Sequence, residues 1–323
     1  MLQPPRNKLL AALAAVAVLG CGLAACGKGG QEEAGVSSRP FAPGGVWNRP
    51  LRPDTPKDPQ SAELVRELRR QVRRVGPWIN SYEYSAPVYR VPRGQRRVRV
   101  ELDTNYDPLE RAIAAVPVPG RATPAKGSDS HMVIWQPSTD TMWEFWRMHR
   151  RSDGWHARWG GRMERVSKNR GSFPAPLGAT ATGLPLLGGL IRPGELRSGH
   201  IRHALAFSLP EARAGTFASP ATRTDGQVRS RGAIPLGTRF RLDPRVDVDN
   251  LRLSRAGKTI ARAIQRYGMI ARDKSGSVSL YAEAPRPGHP YDLRKLLGGQ
   301  YPNQALANFP WSRLQAVRAP DGG

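Results

Sequence analysis

Cysteine is nearly absent. The chain of 323 residues has two, Cys21 and Cys26, and both lie in its N-terminal segment. Everything after residue 26 therefore lacks a disulfide, a thiol nucleophile and a thiolate metal ligand. Acidic residues are also scarce, 26 against 50 lysines and arginines, for a formal net charge of +24. Histidine occurs only 6 times. No HExxH, P-loop, GxGxxG or GxSxG motif stands in a suitable strand–turn–helix setting, which argues against the zinc-peptidase, nucleotide-binding and hydrolase-elbow classes. There is no repeat at a period of 20–50 residues.

What is abundant is arginine. Eight of the 50 basic residues are lysine, leaving 42 arginines. In a cytoplasmic protein such a charge points to nucleic acid. The N-terminus redirects that inference. Arg6 and Lys8 form a positive start, residues 9–19 are apolar but too short for an ordinary membrane span, and Leu23-Ala24-Ala25-Cys26 has the form of a bacterial lipobox. We expect a lipoprotein signal peptide over 1–25 and lipidation of Cys26, which tethers the chain to the outer face of the cytoplasmic membrane. The polyanions at that location are wall polymers, acidic polysaccharides and lipid headgroups. The expected partners are thus an anionic polysaccharide or wall polymer, and the membrane through Cys26; nucleic acid is disfavoured.

Residues 26–55 are rich in Gly, Pro, Ser and Arg and read as a tether, with Trp47-Asn48 docking on the body. The body is expected over 56–318 as a single domain, followed by a tail over 319–323. Asp58-Pro59 is a helix start, Leu64, Leu68 and Val72 repeat every four residues, and Gly76-Pro77 ends the pattern. Arg66, Arg69, Arg70, Arg73 and Arg74 form the opposite, basic face. Strand signals follow at 85–93, 97–102, 162–166, 200–209 and 236–242. Ser254 caps a second helix with Ile260, Ile264 and Tyr267 on its stripe, stopped by Gly268. Residues 269–271 and 277–281, separated by a turn, predict a last hairpin. The fold class expected is mostly β, a β-sandwich or jelly-roll-like single domain with two or three peripheral helices.

One stretch stands out. Residues 131–159 hold Trp135, Trp143, Trp146, Trp155 and Trp159, more than half of the 8 tryptophans, together with three of the histidines. Two apolar runs flank Pro137-Ser138-Thr139-Asp140-Thr141, a turn composition, so a hairpin with a third strand near 155–159 is expected. With Trp135 opposite Glu144, one face carries His131, Val133, Trp135, Glu144, Trp146 and Met148, and the other Ile134, Trp143 and Phe145. One face should be core. The other has the aromatics, carboxylate and histidine of a sugar-stacking cleft; the plain alternative is that these tryptophans are simply core.

A glycosidase needs two carboxyl groups, one of raised pKa to protonate the leaving oxygen and one to act as nucleophile or base. Glu144, between Trp143 and Phe145, is the first choice, with Glu164, Asp129 or Asp273 as partner. A polysaccharide lyase needs a base, for which His131, His203 or Tyr267 serve, and a cation such as Arg266 to neutralise a uronate. The catalytic candidates are accordingly Glu144, His131 and His203, and the ligand-binding ones Trp135, Trp146, Trp155, Trp159, Arg266 and Tyr267. His200-x-x-His203 on a strand places its imidazoles on opposite faces, so no metal site is expected; Asp247, Asp249 and Asn250 are too close together for an EF-hand loop and read as a bend. No cofactor is expected.

Several runs resemble those of an uncharacterised group of secreted actinobacterial proteins: Trp47-Asn48, GPWIN at 76–80, HMVIWQPSTDTMWEFW at 131–146, GWHARWGGRM at 154–163, GATATGLPLLGGL at 178–190, GHIRHALA at 199–206, AIPLGTRFRLDP at 233–244, QRYGMIARDKSG at 265–276, QYP at 300–302 and NFPWS at 308–312. The resemblance implies one family-wide domain and no particular reaction. The expected function is a carbohydrate-active enzyme, a glycoside hydrolase or polysaccharide lyase, with a non-catalytic polymer-binding lipoprotein as the alternative.

Overall fold

The computed structural model describes residues 39–318. The signal segment and Cys26 lie outside the described residues. Within them the protein is mostly β, with 15 strands in four sheets and short helices. No helix among them is long and apolar enough to cross a membrane.

The largest sheet has six strands. In spatial order they are β1 (Pro77–Asn80), β14 (Val278–Tyr281), β9 (Leu205–Leu209), β13 (Met269–Lys274), β12 (Arg239–Leu242) and β15 (Leu314–Val317). Side chains alternate across it, as the period-2 geometry of strands requires. Leu205, Phe207, Met269 and Ala271 face a core shared with Leu64, Val65 and Leu68 of α1 (Ser61–Val75) and Ile260 and Ile264 of α4 (Arg255–Arg266). Ala206, Ile270 and Tyr281 face the other way, into a second core.

Opposite that second core lies a four-stranded sheet: β2 (Val88–Arg90), β4 (Met132–Gln136), β5 (Thr141–Trp146) and β8 (Trp159–Glu164). Its far face packs on a third core around Trp143, Phe145 and Leu109, the last from α2 (Asp107–Ala112). A three-stranded sheet of β3 (Val100–Leu102), β7 (Gly154–Ala157) and β6 (His149–Arg151), and the pair β10 (Ala212–Phe217) and β11 (Ile234–Leu236), complete the strands. Short helices α3 (Pro193–Ser198) and α5 (Leu293–Leu296) lie between the later strands.

Several strand neighbours are parallel, β1 with β14, β9 with β13, β2 with β4 and β3 with β7. The layers are those of a sandwich, but the all-antiparallel order of a jelly roll is not what these strands form. Nor do β13 and β14 make the expected hairpin. β9 inserts between them, parallel to one and antiparallel to the other.

Both helix signals lead to helices. Ser254 Oγ accepts from Gly257 N at 3.2 Å, and Gly268, at φ +80°, follows the last turn in the left-handed conformation open to glycine. α1 begins at Ser61, just beyond the expected Asp58-Pro59 start, and its Arg70 and Arg74 pair with Glu211. Residues 39–55 are more than a tether. Phe41 and Trp47 are buried in the second core, and Arg241 donates to the carbonyls of Arg52 and Pro53. Trp47 Nε1 donates to Gly171 O at 3.0 Å, and its ring occupies the space that a side chain at Gly188 would need. The packed body therefore begins upstream of residue 56.

The hairpin of the tryptophan-rich stretch is present as β4 and β5, with Val133 rather than Trp135 opposite Glu144. A shift of two residues leaves the side chains of β4 and β5 on their expected faces. Met148, beyond the end of β5, packs in the third core with Trp143 and Phe145 rather than on the Trp135 face. Neither face is an open cleft, however. The face with Trp135 and Glu144 is covered by residues 171–191, whose Leu184, Leu186, Leu187 and Leu190 are buried in the second core. Gly161 permits that cover, because a β-carbon there would lie 2.8 Å from Phe173 Cε1 and 3.0 Å from Gly178 N.

Candidate functional site

The cleft of the protein opens at one end of these layers. Two cavities, of about 710 and 580 Å³, share Asp129, His131, Asp273 and Lys274. Each has the size of a ligand pocket, roughly 300–1,000 Å³. Three segments meet there: the turn before β4, the covering loop at 178–181, and the end of β13.

β13 reaches the cleft through a β-bulge. Ala271 pairs with Phe207 and Asp273 with the next residue, Ser208, so Arg272 is the extra residue. Bulges re-aim side chains and are common beside functional sites. Here Arg272 stays inside, almost wholly buried, and Asp273 turns toward the cleft. Burial pushes the Asp273 carboxyl up to about 6, and the nearby Asp225 charge acts in the same direction; the amides of Lys274 and Ala181 and the Arg272 charge oppose them. Lys274 N donates to Oδ1 at 2.9 Å.

Asp129 is fixed from the other wall. Its Oδ1 accepts from Trp146 Nε1 at 3.0 Å, and its carbonyl accepts from Arg147 N at 2.7 Å. His131 follows two residues later. It is buried, lines both cavities, and its Nδ1 has no hydrogen-bond partner. Burial pushes its imidazole down to about 4, aided by the Arg272 charge and opposed by that of Asp129. The ring is therefore neutral at ordinary pH. Nδ1 itself is buried, so a molecule in the cleft can meet only the exposed edge of the ring.

Of the tryptophans, Trp146 and Trp159 reach this site and line the smaller cavity. Trp159 Nε1 is anchored on Pro176 O at 3.0 Å, with its ring 5.3 Å from that of Tyr106. Trp135 and Trp155 do not reach it. They are core residues, with Arg90 and Arg150 lying over their rings. The larger cavity has aromatics that sequence reasoning did not single out: Trp78, Tyr82 and Tyr84, all exposed. Tyr281 lines it too, its phenol pushed up to about 12 by burial. The signal for these residues was weak, since they are spread over a turn and a strand end.

Glu144 lies behind the cleft and does not line either cavity. It has no exposed surface, and both oxygens are occupied: Oε1 accepts from Ala179 N and Oε2 from Leu186 N, each at 2.7 Å. Burial pushes its carboxyl up to about 7, against those two amides and the charges of Arg272 and Arg223. It holds the covering loop; the carboxyls shared by both cavities are Asp129 and Asp273, with Glu83 in the larger one and Asp225 in the smaller. Glu164 is exposed and pairs with Arg162 at 2.6 Å.

His203, Arg266 and Tyr267 are also elsewhere. His203 is buried against Glu195, with Nε2 3.0 Å from Oε1 and also 3.0 Å from Arg192 Nη1. It sits just before β9, whose strand starts later than expected. Tyr267 belongs to the second core, with Arg266 over its ring. Among the described residues, no three His, Cys, Asp or Glu side chains gather as a metal site. Asp247 binds Asp249 N and Asn250 Nδ2 within its own bend.

No protein-family model, curated protein or solved structure matches this chain.

Proposed function

We propose that the protein is a glycan-cleaving enzyme, a glycoside hydrolase acting on an anionic envelope or environmental polysaccharide. One observation carries this reading. Two carboxyl groups, Asp129 and Asp273, stand with His131 where two cavities meet, and aromatic side chains wall the cleft on both sides. Asp273, which keeps its proton up to about pH 6, is the acid. Its proton passes to the glycosidic oxygen as the bond to the anomeric carbon breaks and its electron pair leaves with that oxygen. Asp129 takes a proton from water, whose oxygen bonds to the anomeric carbon, so each fragment ends in a hydroxyl. His131 hydrogen-bonds a sugar hydroxyl without adding charge. The tether through Cys26 and the location outside the cytoplasmic membrane belong to the same proposal and rest on the lipobox.

A second reading is favoured by His131 itself. A neutral imidazole and the neutral Tyr281 phenol line the same cavity, and a base–acid pair of that kind suits β-elimination from a uronate. Incubation of the chain from Gly27 onward with neutral and acidic polysaccharides, read by mass spectrometry, separates the two. Saturated fragments support hydrolysis and unsaturated ones elimination. Polymer capture without fragments would make the protein a binding lipoprotein, and neither binding nor products would remove the glycan reading.

A further inference from the structure

The two arms of the cleft differ in chemistry. The larger one presents the exposed faces of Trp78, Tyr82 and Tyr84 and a run of hydroxyls, with Ser277 Oγ 2.7 Å from Ser279 Oγ. Apart from the groups at the junction, its one charged side chain is Glu83. The smaller arm has Trp146 and Trp159 as its aromatic wall, the cations Arg158 and Arg223 beside the shared Lys274, and one carboxylate of its own, Asp225.

Those cations are not equally available. Arg223 spends its guanidinium on the carbonyls of Leu177, Gly178 and Thr180. Lys274 Nζ lies 3.4 Å from Asp225 Oδ2. Arg158 is exposed, and among the described residues its side chain has no ion pair. Arg147 lies over the Trp146 ring at 4.7 Å but does not line the cavity. A guanidinium beside an aromatic face fits a sugar that carries a carboxylate, because its planar fork matches that group and the ring packs on the sugar's C–H face. In the larger arm a carboxylate would instead meet Glu83 with no arginine in the lining, whereas Asp225 of the smaller arm is already paired with Lys274.

We infer that the cleft takes a glycan in which acidic and neutral sugars alternate, the acidic sugar beside Arg158, Trp146 and Trp159, the neutral one beside Trp78, Tyr82 and Tyr84, and the scissile bond between them at Asp129 and Asp273. This rests on the glycan-cleaving reading above and adds the substrate's order. A homopolymeric uronate places a charge in the wrong arm. A neutral polymer leaves Arg158 unused.

The test compares three purified polymers: an alternating uronate–N-acetylhexosamine chain, a homopolymeric uronate and a neutral N-acetylhexosamine chain. The alternating polymer should give the highest kcat/KM. Arg158→Gln should lower that value about tenfold, the loss of one charge-assisted contact, and leave the neutral polymer unaffected. Trp78→Ala should impair the alternating and neutral polymers and spare discrimination by charge. Cleavage unchanged by Arg158→Gln, or equal cleavage of all three, overturns the inference while the hydrolase reading stands. Binding of the alternating polymer that weakens with Arg158→Gln, without cleavage, keeps the arm assignment and overturns the hydrolase reading. No binding and no cleavage sinks both.

Discussion

Glu144 and Arg272, on strands of two different sheets, grip the same loop from opposite chemical sides. Glu144 accepts the amides of Ala179 and Leu186, and Arg272 Nη1 donates to the carbonyls of Pro185, Leu186 and Gly188 at 3.0 to 3.3 Å. A long segment without regular structure is thereby held between two sheets with its backbone polar groups paired, as burial demands. The Arg272 guanidinium also lies 4.2 Å from the Tyr281 ring. The wall of the cleft at 178–181 depends on this grip.

Replacing Glu144 with Gln removes an acceptor from one of the two amides, at a cost of about 1–3 kcal/mol. The carboxyl sits at about 7 in the folded chain against an ordinary 4.5. Between those pH values the native state holds a proton the unfolded chain has released, so this contribution falls as pH rises from about 4.5 to 7. His131, at about 4 against 6.5, has the opposite sign and is common to both proteins. Urea midpoints at pH 5 and pH 8 should therefore show a larger advantage of the wild type at pH 5.

Arg272→Leu strands the buried carbonyls of Pro185, Leu186 and Gly188. The expected loss of stability is about 1–3 kcal/mol, the usual cost of leaving a buried polar group unsatisfied. Equilibrium unfolding measures it. A change below about 1 kcal/mol would mean that the loop is held by its leucines alone.

Catalysis by the Asp273 acid requires its proton, so kcat should fall as pH rises through about 6. Asp273→Asn should reduce kcat by roughly 10²–10⁴ and abolish that limb, with binding kept. Asp129→Asn should give a comparable loss. A wild-type profile flat from pH 5 to pH 8 would remove Asp273 from the chemistry.

Trp146 and Trp155 separate cleft from core. Trp146→Ala should raise KM a few-fold, since an aromatic contact is worth about 0.5–1.5 kcal/mol. Trp155 is buried with Leu109, Ile113 and Trp143 around it, and Trp155→Ala should cost about 3–5 kcal/mol of stability. Isothermal titration and thermal unfolding on both variants read the difference.

The same contrasts explain what could be read beforehand. Side-chain parity in β4 and β5 follows from alternation alone and survives the two-residue register shift. Ser254 and Gly268 carry their caps locally. The insertion of β9 between β13 and β14 is a long-range event, invisible in a segment that reads locally as a hairpin. Asp129 and Asp273 were each legible as a carboxylate that could partner Glu144, but their place together at one cleft depends on the bulge at Arg272. Glu144 drew attention for its apolar neighbours, and those neighbours are the reason it is sealed under the 171–191 loop.

The most direct test of the central claim is cleavage of the alternating polymer in ¹⁸O-labelled water, with products read by mass spectrometry for the wild type and for Asp273→Asn. The account predicts saturated fragments with one labelled oxygen at each new reducing end, and polymer bound but uncut by the variant. Unsaturated, unlabelled ends, or fragments released equally by Asp273→Asn, would contradict it.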